Sequence, residues 1–241
     1  MQHRASKAGI PPIPEYLKTH YWWAYGAPVA IRLFERQWLI NLILWGNYRR
    51  LRDAALAAFG DRLEGRSLQV ACVYGDLTPR WSDRHGPGGR LDVVDVLPGQ
   101  LDNLASKLGR RKNVGLFLAD GASLGCKPGQ YDRALLFFLL HEQPEAVRRA
   151  TLAQVMRAVR PGGKVVIVDY HQPSRRHPLH WPMKGILATL EPFALDLWRE
   201  DLGTWLPAGF PAAALNHRTY FGGLYQLVEI TVPLNPIPKA T

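Results

Sequence analysis

The sequence is poor in cysteine, in acidic residues and in long hydrophobic runs. Two cysteines among 241 residues cannot build a disulfide framework, so we expect reduced thiols and a cytoplasmic setting. The longest uncharged apolar run, Gln37–Tyr48, is well short of the roughly 20 residues that a membrane-spanning helix needs. The first residues, Met1–Pro14, contain three prolines and no apolar stretch, so no secretory signal is expected.

Acidic side chains number 20 against 30 lysines and arginines, which gives a net charge of +10. Residues 1–60 contain eight of the basic and three of the acidic side chains, so half of the excess lies in the first quarter of the chain. Such a charge suits nucleic acid or an anionic membrane. Because no nucleic-acid-binding motif is present and Trp, Tyr and Leu alternate with the arginines, we expect a membrane surface and no nucleic acid.

We divide the chain into an N-terminal segment, 1–60, and a main domain, 61–241. The pattern from Tyr16 to Gly60 predicts helices that break near Gly26–Pro28, with an apolar, tryptophan-rich face edged by arginines. Such a helix can cap an active site or lie in the interface of a bilayer, and both roles stay open. Four tryptophans of this segment are expected to pack within the cap, with stacking on a quinone as the alternative: Trp22, Trp23, Trp38 and Trp45.

From Ser67 onward, strand-like and helix-like segments alternate, which predicts an α/β fold with a mostly parallel sheet flanked by helices. Five strands are predicted at Leu68–Val73, Arg90–Val96, Asn113–Leu118, Tyr131–Leu140 and Lys164–Asp169. Helices are predicted at Pro98–Leu108, at Glu145–Val159 before a turn at Arg160–Gly163, and in two pieces ending near Leu190 and Trp205. A hairpin within His217–Val232 is predicted to complete the sheet.

The stretch Val73–Pro79 follows the first strand, where a glycine-rich loop is expected to receive a nucleotide cofactor. Only Gly75 remains there, and Tyr74 and Asp76 stand on either side of it. They add a phenol and a carboxylate where bare backbone is usual. The pattern therefore indicates a cofactor site that uses extra functional groups.

The order of elements resembles that of the class I S-adenosylmethionine-dependent methyltransferases over about residues 60–232. The motifs that carry the resemblance are Asp95, Ala119–Gly121, Tyr131–Asp132 and Arg160–Gly163 at consistent spacing. It implies a Rossmann-like fold with a seven-stranded sheet and S-adenosylmethionine as cofactor.

The resemblance also assigns residues to the cofactor. Asp95 would accept both ribose hydroxyls, because one carboxylate can serve two adjacent donors, and Asp120 and Gly121 would meet the adenine. A helix cap or turn role is the alternative for either aspartate. The remaining cofactor-binding residues expected are Val73, Tyr74, Gly75, Asp76 and Val96.

The first loop departs from that family, since Cys72 replaces its acidic residue and Tyr74 and Asp76 replace two glycines. The run Val73–Pro79 is similar to the signature of the rhodoquinone biosynthesis proteins, the RquA family, and Asp169–His171 suits the same assignment. This resemblance implies conversion of ubiquinone to rhodoquinone, in which an amino group replaces a ring methoxy group. It implies S-adenosylmethionine as amino donor and a requirement for Mn²⁺. From the two cysteines and the basic, aromatic N-terminal segment we expect a cytoplasmic protein peripheral at the inner face of the membrane.

We predict that Asp76 binds Mn²⁺ against the α-amino-carboxylate end of the cofactor, with His141 completing the site. The reason is that a carboxylate beside the cofactor's own carboxylate needs a cation, and Mn²⁺ accepts oxygen and imidazole ligands. Tyr74 would hydrogen-bond a quinone carbonyl, or else fill the space of the missing glycines. His141 and His171 follow predicted strands on the ligand side of the sheet and are predicted to move protons, with a capping or surface role as the alternative.

Two other function classes stay open. The first is a conventional S-adenosylmethionine-dependent methyltransferase acting on a quinone or another apolar ring. The second is a non-enzymatic, membrane-associated module with a degenerate fold. The oligomeric state is not predicted.

Overall fold

The computed structural model describes residues 4–5, 11–20, 36–211 and 214–234. The strands are β1 (Arg4–Ala5), β2 (Arg66–Val70), β3 (Arg90–Asp95), β4 (Val114–Leu118), β5 (Tyr131–Phe137), β6 (Val159–Tyr170), β7 (Leu215–Tyr220) and β8 (Tyr225–Thr231). The helices are α1 (Glu15–His20), α2 (Gln37–Ile43), α3 (Tyr48–Ala57), α4 (Leu77–Asp83), α5 (Pro98–Leu108), α6 (Glu145–Ala158), α7 (His180–Leu190) and α8 (Asp196–Arg199). Short 3₁₀ turns occupy Leu140–Glu142 and Leu202–Trp205.

These strands form one sheet in the order β1-β4-β3-β2-β5-β6-β8-β7. Strands β2 to β6 are parallel, and the β7–β8 hairpin adds antiparallel to β6. The predicted Rossmann-like fold with a seven-stranded, mostly parallel sheet and flanking helices is confirmed by β2–β8. The two-residue strand β1, paired with β4, is an addition at the edge.

Both faces of the sheet are buried, because alternate residues of each strand point to opposite sides. Leu135 and Phe137 of β5 pack in a core with residues of helices α3, α4, α5 and α7, whereas Ala134 and Leu136 pack in a second core with residues of α6. Helices on both faces explain why the inner strands read as continuous apolar runs. The carboxyl ends of the parallel strands therefore lie side by side at one edge of the sheet.

Two predicted strands are too long, and both end for the same reason. The first was predicted to reach Val73 but ends at Val70, because Ala71 adopts a φ of 69°. The fourth was predicted to reach Leu140 but ends at Phe137, because Phe138 adopts a φ of 53°. A left-handed residue other than glycine costs on the order of 1 kcal/mol and breaks the strand conformation. Both of these residues lie at the ligand side of the sheet.

The Arg160–Gly163 signal ends helix α6 at Ala158, as predicted, but its interpretation as a turn is wrong. The segment belongs to β6, which begins at Val159. Its pairing with β5 shifts register between Tyr131 and Arg133, and Gly162 takes a φ of 73°. The glycines therefore permit an irregular strand start.

The N-terminal helices are also divided differently from the prediction. Helices α2 and α3 are separated at Leu44–Asn47, where Trp45 and Gly46 have φ angles of 50° and 78°. The predicted break near Gly26–Pro28 and the Trp22–Trp23 pair lie outside the described residues. Helix α3 packs into the same core as the sheet through Tyr48, Leu51 and Leu56. No helix in the described ranges has both the length and the apolar character to cross a membrane.

The expectation that Trp38 and Trp45 pack within a cap is wrong. The side chain of Trp38 is 60% exposed and that of Trp45 is 42% exposed. Their helix presents its other side, through Ile40 and Leu44, to the core.

Candidate functional site

A cavity of about 220 Å³ opens at the carboxyl ends of the parallel strands. Its wall is built from the residues that follow β2, β3, β4 and β5 and from Tyr170 at the end of β6. Ligands of open α/β sheets bind at this edge, because the loops there leave a crevice between the helices on the two faces. Residues of α1 and α2 close the cavity from the other side.

Seven of the residues predicted for the site lie in this wall: Val73, Tyr74, Asp95, Val96, Asp120, Gly121 and His141. Three others lie outside it among the described residues: Gly75, Asp76 and His171. His171 donates from Nδ1 to the carbonyl oxygen of Gly223 at 2.7 Å, and its ring packs edge-on against His217. It therefore fixes the turn of the β7–β8 hairpin, and the structure does not bring it to the cavity.

Asp95 ends β3 and presents its carboxylate to the cavity. Oδ2 accepts the backbone N–H of Cys72 at 2.7 Å, and Oδ1 accepts that of Leu97 at 2.8 Å. Burial raises the pKa of Asp95, and the two amide donors oppose that shift. Each carboxylate oxygen can accept a further hydrogen bond, so the geometry suits two adjacent ribose hydroxyls.

Asp120 and Gly121 form the turn after β4. Asp120 Oδ1 accepts the backbone N–H of Ala122 at 2.8 Å, which fixes the aspartate at the cavity wall. A Cβ atom on Gly121 would lie 2.9 Å from Cγ1 of Val70, so only glycine fits at this point. The turn therefore leaves room for a flat ring such as adenine next to β2 and β4.

The cavity wall is acidic although the chain as a whole is strongly basic. Among the described residues it contains four carboxylates and no lysine or arginine: Asp95, Asp120, Glu142 and Glu191. Such a wall attracts ligands that carry positive charge. S-adenosylmethionine has both a sulfonium and an ammonium group, so the charge of the wall suits this cofactor.

The carboxylate of Asp76 is engaged by two arginines. Oδ1 accepts from Arg52 Nη1 and Oδ2 from Arg80 Nε, each at 2.6 Å. Burial works to raise the pKa of Asp76, but the two guanidinium groups hold it below its ordinary value. Next to it, Tyr48 Oη accepts the backbone N–H of Asp76 and lies within hydrogen-bond distance of the carbonyl oxygen of Tyr74, both at 3.1 Å. Asp76 thus ties the first loop to α3 and α4.

This placement does not support the predicted Mn²⁺ site. Both oxygens of Asp76 are paired with arginines, and Asp76 is not part of the cavity wall. His141 does line the cavity, but its Nδ1 is bonded to Asp169. Within the described ranges, no group of three or more His, Cys, Asp and Glu side chains could hold a metal ion. The donor set of the predicted Asp76–His141 site therefore does not fit Mn²⁺.

Tyr74 lies in the cavity wall, and its hydroxyl is oriented by a residue that the sequence did not indicate. Gln100 of α5 donates from Nε2 to Tyr74 Oη at 2.7 Å. Because the phenolic oxygen is the acceptor in this bond, its own proton is directed elsewhere. Tyr74 is therefore held with a polar group at the cavity.

His141 is paired with Asp169, which ends β6 and is completely buried. His141 donates from Nδ1 to Asp169 Oδ1 at 2.8 Å, and Asp169 Oδ2 accepts the backbone N–H of Leu140 at 2.8 Å. Burial works to lower the pKa of His141, but the charge of Asp169 and the hydrogen bond to it raise the pKa to about 9. The imidazole is therefore a cation at neutral pH and can donate a proton from Nε2.

Arg148 of α6 holds the turn that carries His141. The guanidinium group is completely buried and donates to the carbonyl oxygens of Leu140 at 3.0 Å and Gln143 at 2.9 Å. It also donates to the carbonyl oxygen of Phe193, beyond α7, at 2.9 Å. The position of His141 is thus fixed from both sides of the turn.

Several wall residues were not found by sequence reasoning. Tyr16 and Tyr48 come from helices outside the alternating α/β pattern, so no motif marks them. Phe137 and Phe138 lie within an apolar run that indicated only a buried strand. The run Asp169–His171 was noticed, but Asp169 was not predicted as the partner of His141.

Residues 68–163 match the family described as "Methyltransferase domain". A demethylmenaquinone methyltransferase of Staphylococcus aureus (strain JH9) is 27% identical over 136 residues. That match covers 56% of this chain and 56% of the relative, so the chain spans about half the length of the curated relatives it matches.

Solved structures share the fold at low sequence identity. The N-methyltransferase NodS from Bradyrhizobium japonicum WM9 in complex with S-adenosyl-L-homocysteine has a TM-score of 0.57 at 15% identity, over 77% of this chain and 87% of that chain. Human N-acetylserotonin methyltransferase in complex with SAM has a TM-score of 0.61 at 14% identity, over 92% and 60%. The [4+2]-cyclase SpnF has a TM-score of 0.50 at 15% identity, over 77% and 82%.

The fold is that of the class I S-adenosylmethionine-dependent methyltransferases, and residues 68–163 match their methyltransferase domain.

Proposed function

We propose that this protein uses S-adenosylmethionine to modify the ring of ubiquinone, replacing a methoxy group by an amino group to form rhodoquinone. One observation carries the proposal: the groups suited to the nucleoside share a single cavity with an aromatic wall and two hydrogen-bonding side chains, Tyr74 and His141. The aromatic wall is formed by Phe137, Phe138 and Tyr170. A flat, apolar ring with polar oxygens matches such surroundings.

The similarity to a demethylmenaquinone methyltransferase supports a quinone as the substrate class. The altered first loop supports a reaction other than ordinary methyl transfer, since Tyr74 brings a hydroxyl to a loop where glycine is usual. The fold permits this departure, because the [4+2]-cyclase SpnF also shares it.

Bound in the cavity, S-adenosylmethionine would supply its amine nitrogen, which bonds to the ring carbon as the bond from that carbon to the methoxy oxygen breaks. For the amino group to stay on the ring, the bond between this nitrogen and Cα of the cofactor would then break with loss of a Cβ proton, which leaves the carbon skeleton as an unsaturated acid. Tyr74 would donate a hydrogen bond to the quinone carbonyl oxygen, on which negative charge develops as nitrogen adds to the ring. His141 would give its Nε2 proton to the departing methoxy oxygen, so that methanol leaves. Asp169 would keep Nδ1 protonated and the ring oriented.

Conventional methyl transfer to an apolar ring is the second candidate, and the matching methyltransferase domain favours it. It would use the same nucleoside-binding residues and the same aromatic wall. The two reactions differ in the group transferred. In methyl transfer a ring position would gain a methyl group, and no methanol would form.

Residues 1–60 are proposed to act as a cap on this site. Tyr16, Ile40 and Tyr48 already line the cavity, and a lipid quinone would reach it from the inner face of the membrane. The protein would then be cytoplasmic and membrane-peripheral.

The experiment incubates the protein with ubiquinone and S-adenosylmethionine labelled with heavy nitrogen in its amino group. Mass spectrometry of the quinone then separates the candidates. An aminoquinone carrying the label supports amination, a methyl gain supports the second candidate, and no modified quinone contradicts both. Parallel reactions with added Mn²⁺ and with a chelator determine the metal requirement that the RquA resemblance implies.

A further inference from the structure

Two helices carry most of the exposed apolar surface of the described residues. Nine large hydrophobic side chains are exposed there, and seven of them lie on α2 with its following turn and on α7. We call these seven the apolar face: Trp38, Leu42, Ile43, Trp45, Trp181, Ile186 and Leu190. Single exposed hydrophobic residues are ordinary, but a cluster of this kind marks an interaction surface.

The two helices form one continuous surface. Trp45, at the end of α2, lies with Nε1 at 3.2 Å from the sulfur of Met183 in α7. Met183 and Leu187 of α7 are buried in the core, whereas Trp181, Ile186 and Leu190 of the same helix are exposed. The face is thus the outer side of elements that are firmly packed underneath.

Within the two segments that contain the apolar face, the charged side chains are all Lys or Arg. No Asp or Glu occurs in residues 36–52 or 171–190, the segments that contain it. The same segments contain exposed cations, namely Arg36, Arg49, Arg50, Arg175, Arg176 and Lys184. Lys184 Nζ lies 5.5 Å from the ring centroid of Trp181, which places a cation beside an exposed indole.

This combination complements an anionic lipid surface. Tryptophan favours the interface between lipid headgroups and acyl chains, where its ring is apolar and its N–H is hydrated. Lysine and arginine near a bilayer are attracted to anionic headgroups. A carboxylate in the same place would oppose binding.

The face also reaches the cavity. Ile43 belongs to the apolar face and to the cavity wall, and its neighbours Ile40 and Leu44 line the wall. On the side of α7, the next residue after the helix, Glu191, lines the cavity as well. The apolar face and the cavity wall therefore meet at Ile43.

We propose that the apolar face docks on the surface of an anionic phospholipid bilayer and turns the mouth of the cavity towards the lipid. Helix α7, from the C-terminal half of the chain, contributes as much to this surface as the N-terminal helix does. The proposal rests on the membrane-peripheral location given under the proposed function and names the surface that makes the contact. Its test is independent of the reaction, because docking requires neither cofactor nor quinone.

The test is flotation of the full chain with vesicles of phosphatidylcholine alone or with phosphatidylglycerol, in the absence of quinone and cofactor. The variant combines Trp181→Gln and Ile186→Gln, which lie outside the cavity wall. A matched control combines Ile13→Gln and Leu234→Gln, two exposed hydrophobic residues outside the apolar face. We expect the first pair to lower partition onto anionic vesicles about tenfold or more, and the control to change it by less than about twofold.

The charge is tested separately. Lys184→Glu and Lys112→Glu change the net charge equally. Lys112 precedes β4 and therefore lies at the amino ends of the parallel strands, whereas the cavity lies at their carboxyl ends. Only Lys184→Glu should weaken binding to anionic vesicles, by about fivefold or more. An equal loss in both variants would show a general charge effect and overturn docking through this face.

Other occupants of the face give different results. A chain that is dimeric without lipid and becomes monomeric in the Trp181→Gln, Ile186→Gln variant would show that a second copy covers it. A lower melting temperature of that variant with unchanged vesicle binding would show that another segment of the chain, such as residues 21–35, covers it. Either result, or a full chain that does not float, overturns the proposal without affecting the proposed reaction.

Discussion

Nδ1 of His141 lies 2.8 Å from Oδ1 of Asp169, and this pair joins the ends of β5 and β6 at the floor of the cavity. The two residues are 28 positions apart and come together because parallel strands end at the same edge of a sheet. Asp169 also accepts the backbone N–H groups of Leu140 and Tyr170, so its carboxylate is fixed before it acts on the imidazole.

The pair predicts a pH-dependent stability. The pKa of His141 is about 9 in the folded protein and about 6.5 in an unfolded chain. Its contribution to the free energy of unfolding is therefore fully present below pH of about 6.5 and is lost as the pH rises through about 9. In Asp169→Asn this loss should disappear, because the partner that raises the pKa is gone. Urea unfolding at a series of pH values measures it, and an unchanged pH dependence in the variant would contradict the assignment.

Tyr74→Phe should lower turnover about tenfold or more while leaving the affinity for S-adenosylhomocysteine unchanged, because only the hydroxyl proposed to meet the quinone is lost. Steady-state kinetics and calorimetry measure the two effects. Tyr131→Phe is the matched control, since its hydroxyl bonds Asp92 away from the cavity. Full activity of Tyr74→Phe would leave Tyr74 a packing role only.

The substitution Asp76→Asn tests whether Asp76 stabilises the first loop or binds a metal ion. Arg52 is almost completely buried and would keep only Asp53 as a carboxylate partner, so we expect a loss of about 1–2 kcal/mol in the free energy of unfolding. The response of activity to added Mn²⁺ should not change. Asp83→Asn, in an exposed pair with Arg111, should cost less than about 0.5 kcal/mol.

The pH profile of the Asp76 variant provides a second check. The pKa of Asp76 is lowered in the folded protein, so its stabilising contribution is present above pH of about 4 and is lost as the pH falls further. Acid unfolding of Asp76→Asn should therefore be less steep than that of the unchanged chain. If the Mn²⁺ concentration that gives half of the full activation differs between Asp76→Asn and the unchanged chain, Asp76 would instead be a metal ligand.

Asp95→Asn should weaken binding of S-adenosylhomocysteine about tenfold or more. The amide keeps one acceptor oxygen but replaces the other by a donor, which faces the backbone N–H of Cys72 or Leu97 or the ribose hydroxyls. Isothermal titration calorimetry measures the affinity, with Asp102→Asn, at an exposed position of α5, as the control. Equal affinities in the two variants would exclude the ribose role.

The alternating part of the fold was predictable because its signals are local. Buried parallel strands read as apolar runs, and helix α5 begins and ends where proline and the apolar spacing predict. The strand ends were predicted less well, since the left-handed conformations of Ala71 and Phe138 depend on the surrounding packing. Nothing in the types of these two residues favours such a conformation.

The residues of the candidate site also fall into those that the sequence could predict and those that it could not. Asp95, Asp120 and Gly121 could be predicted, because they follow strands directly in sequence. Arg52 could not be predicted as a partner of Asp76, since the pair is 24 residues apart and the arginine lies on a helix outside the alternating pattern. The metal role predicted for Asp76 did not take these competing cations into account, because nothing in the sequence indicated them.

Tyr48 shows how far the nucleotide-binding unit extends along the chain. Its hydroxyl holds the backbone on both sides of Gly75, and a Cβ atom on that glycine would lie 2.5 Å from the phenolic oxygen. A shortened protein starting at residue 61 would lose this clamp together with Arg52. The minimal fragment expected to retain affinity for a nucleoside therefore has to begin before helix α3, and sequence boundaries drawn from the matching domain alone would cut through its support.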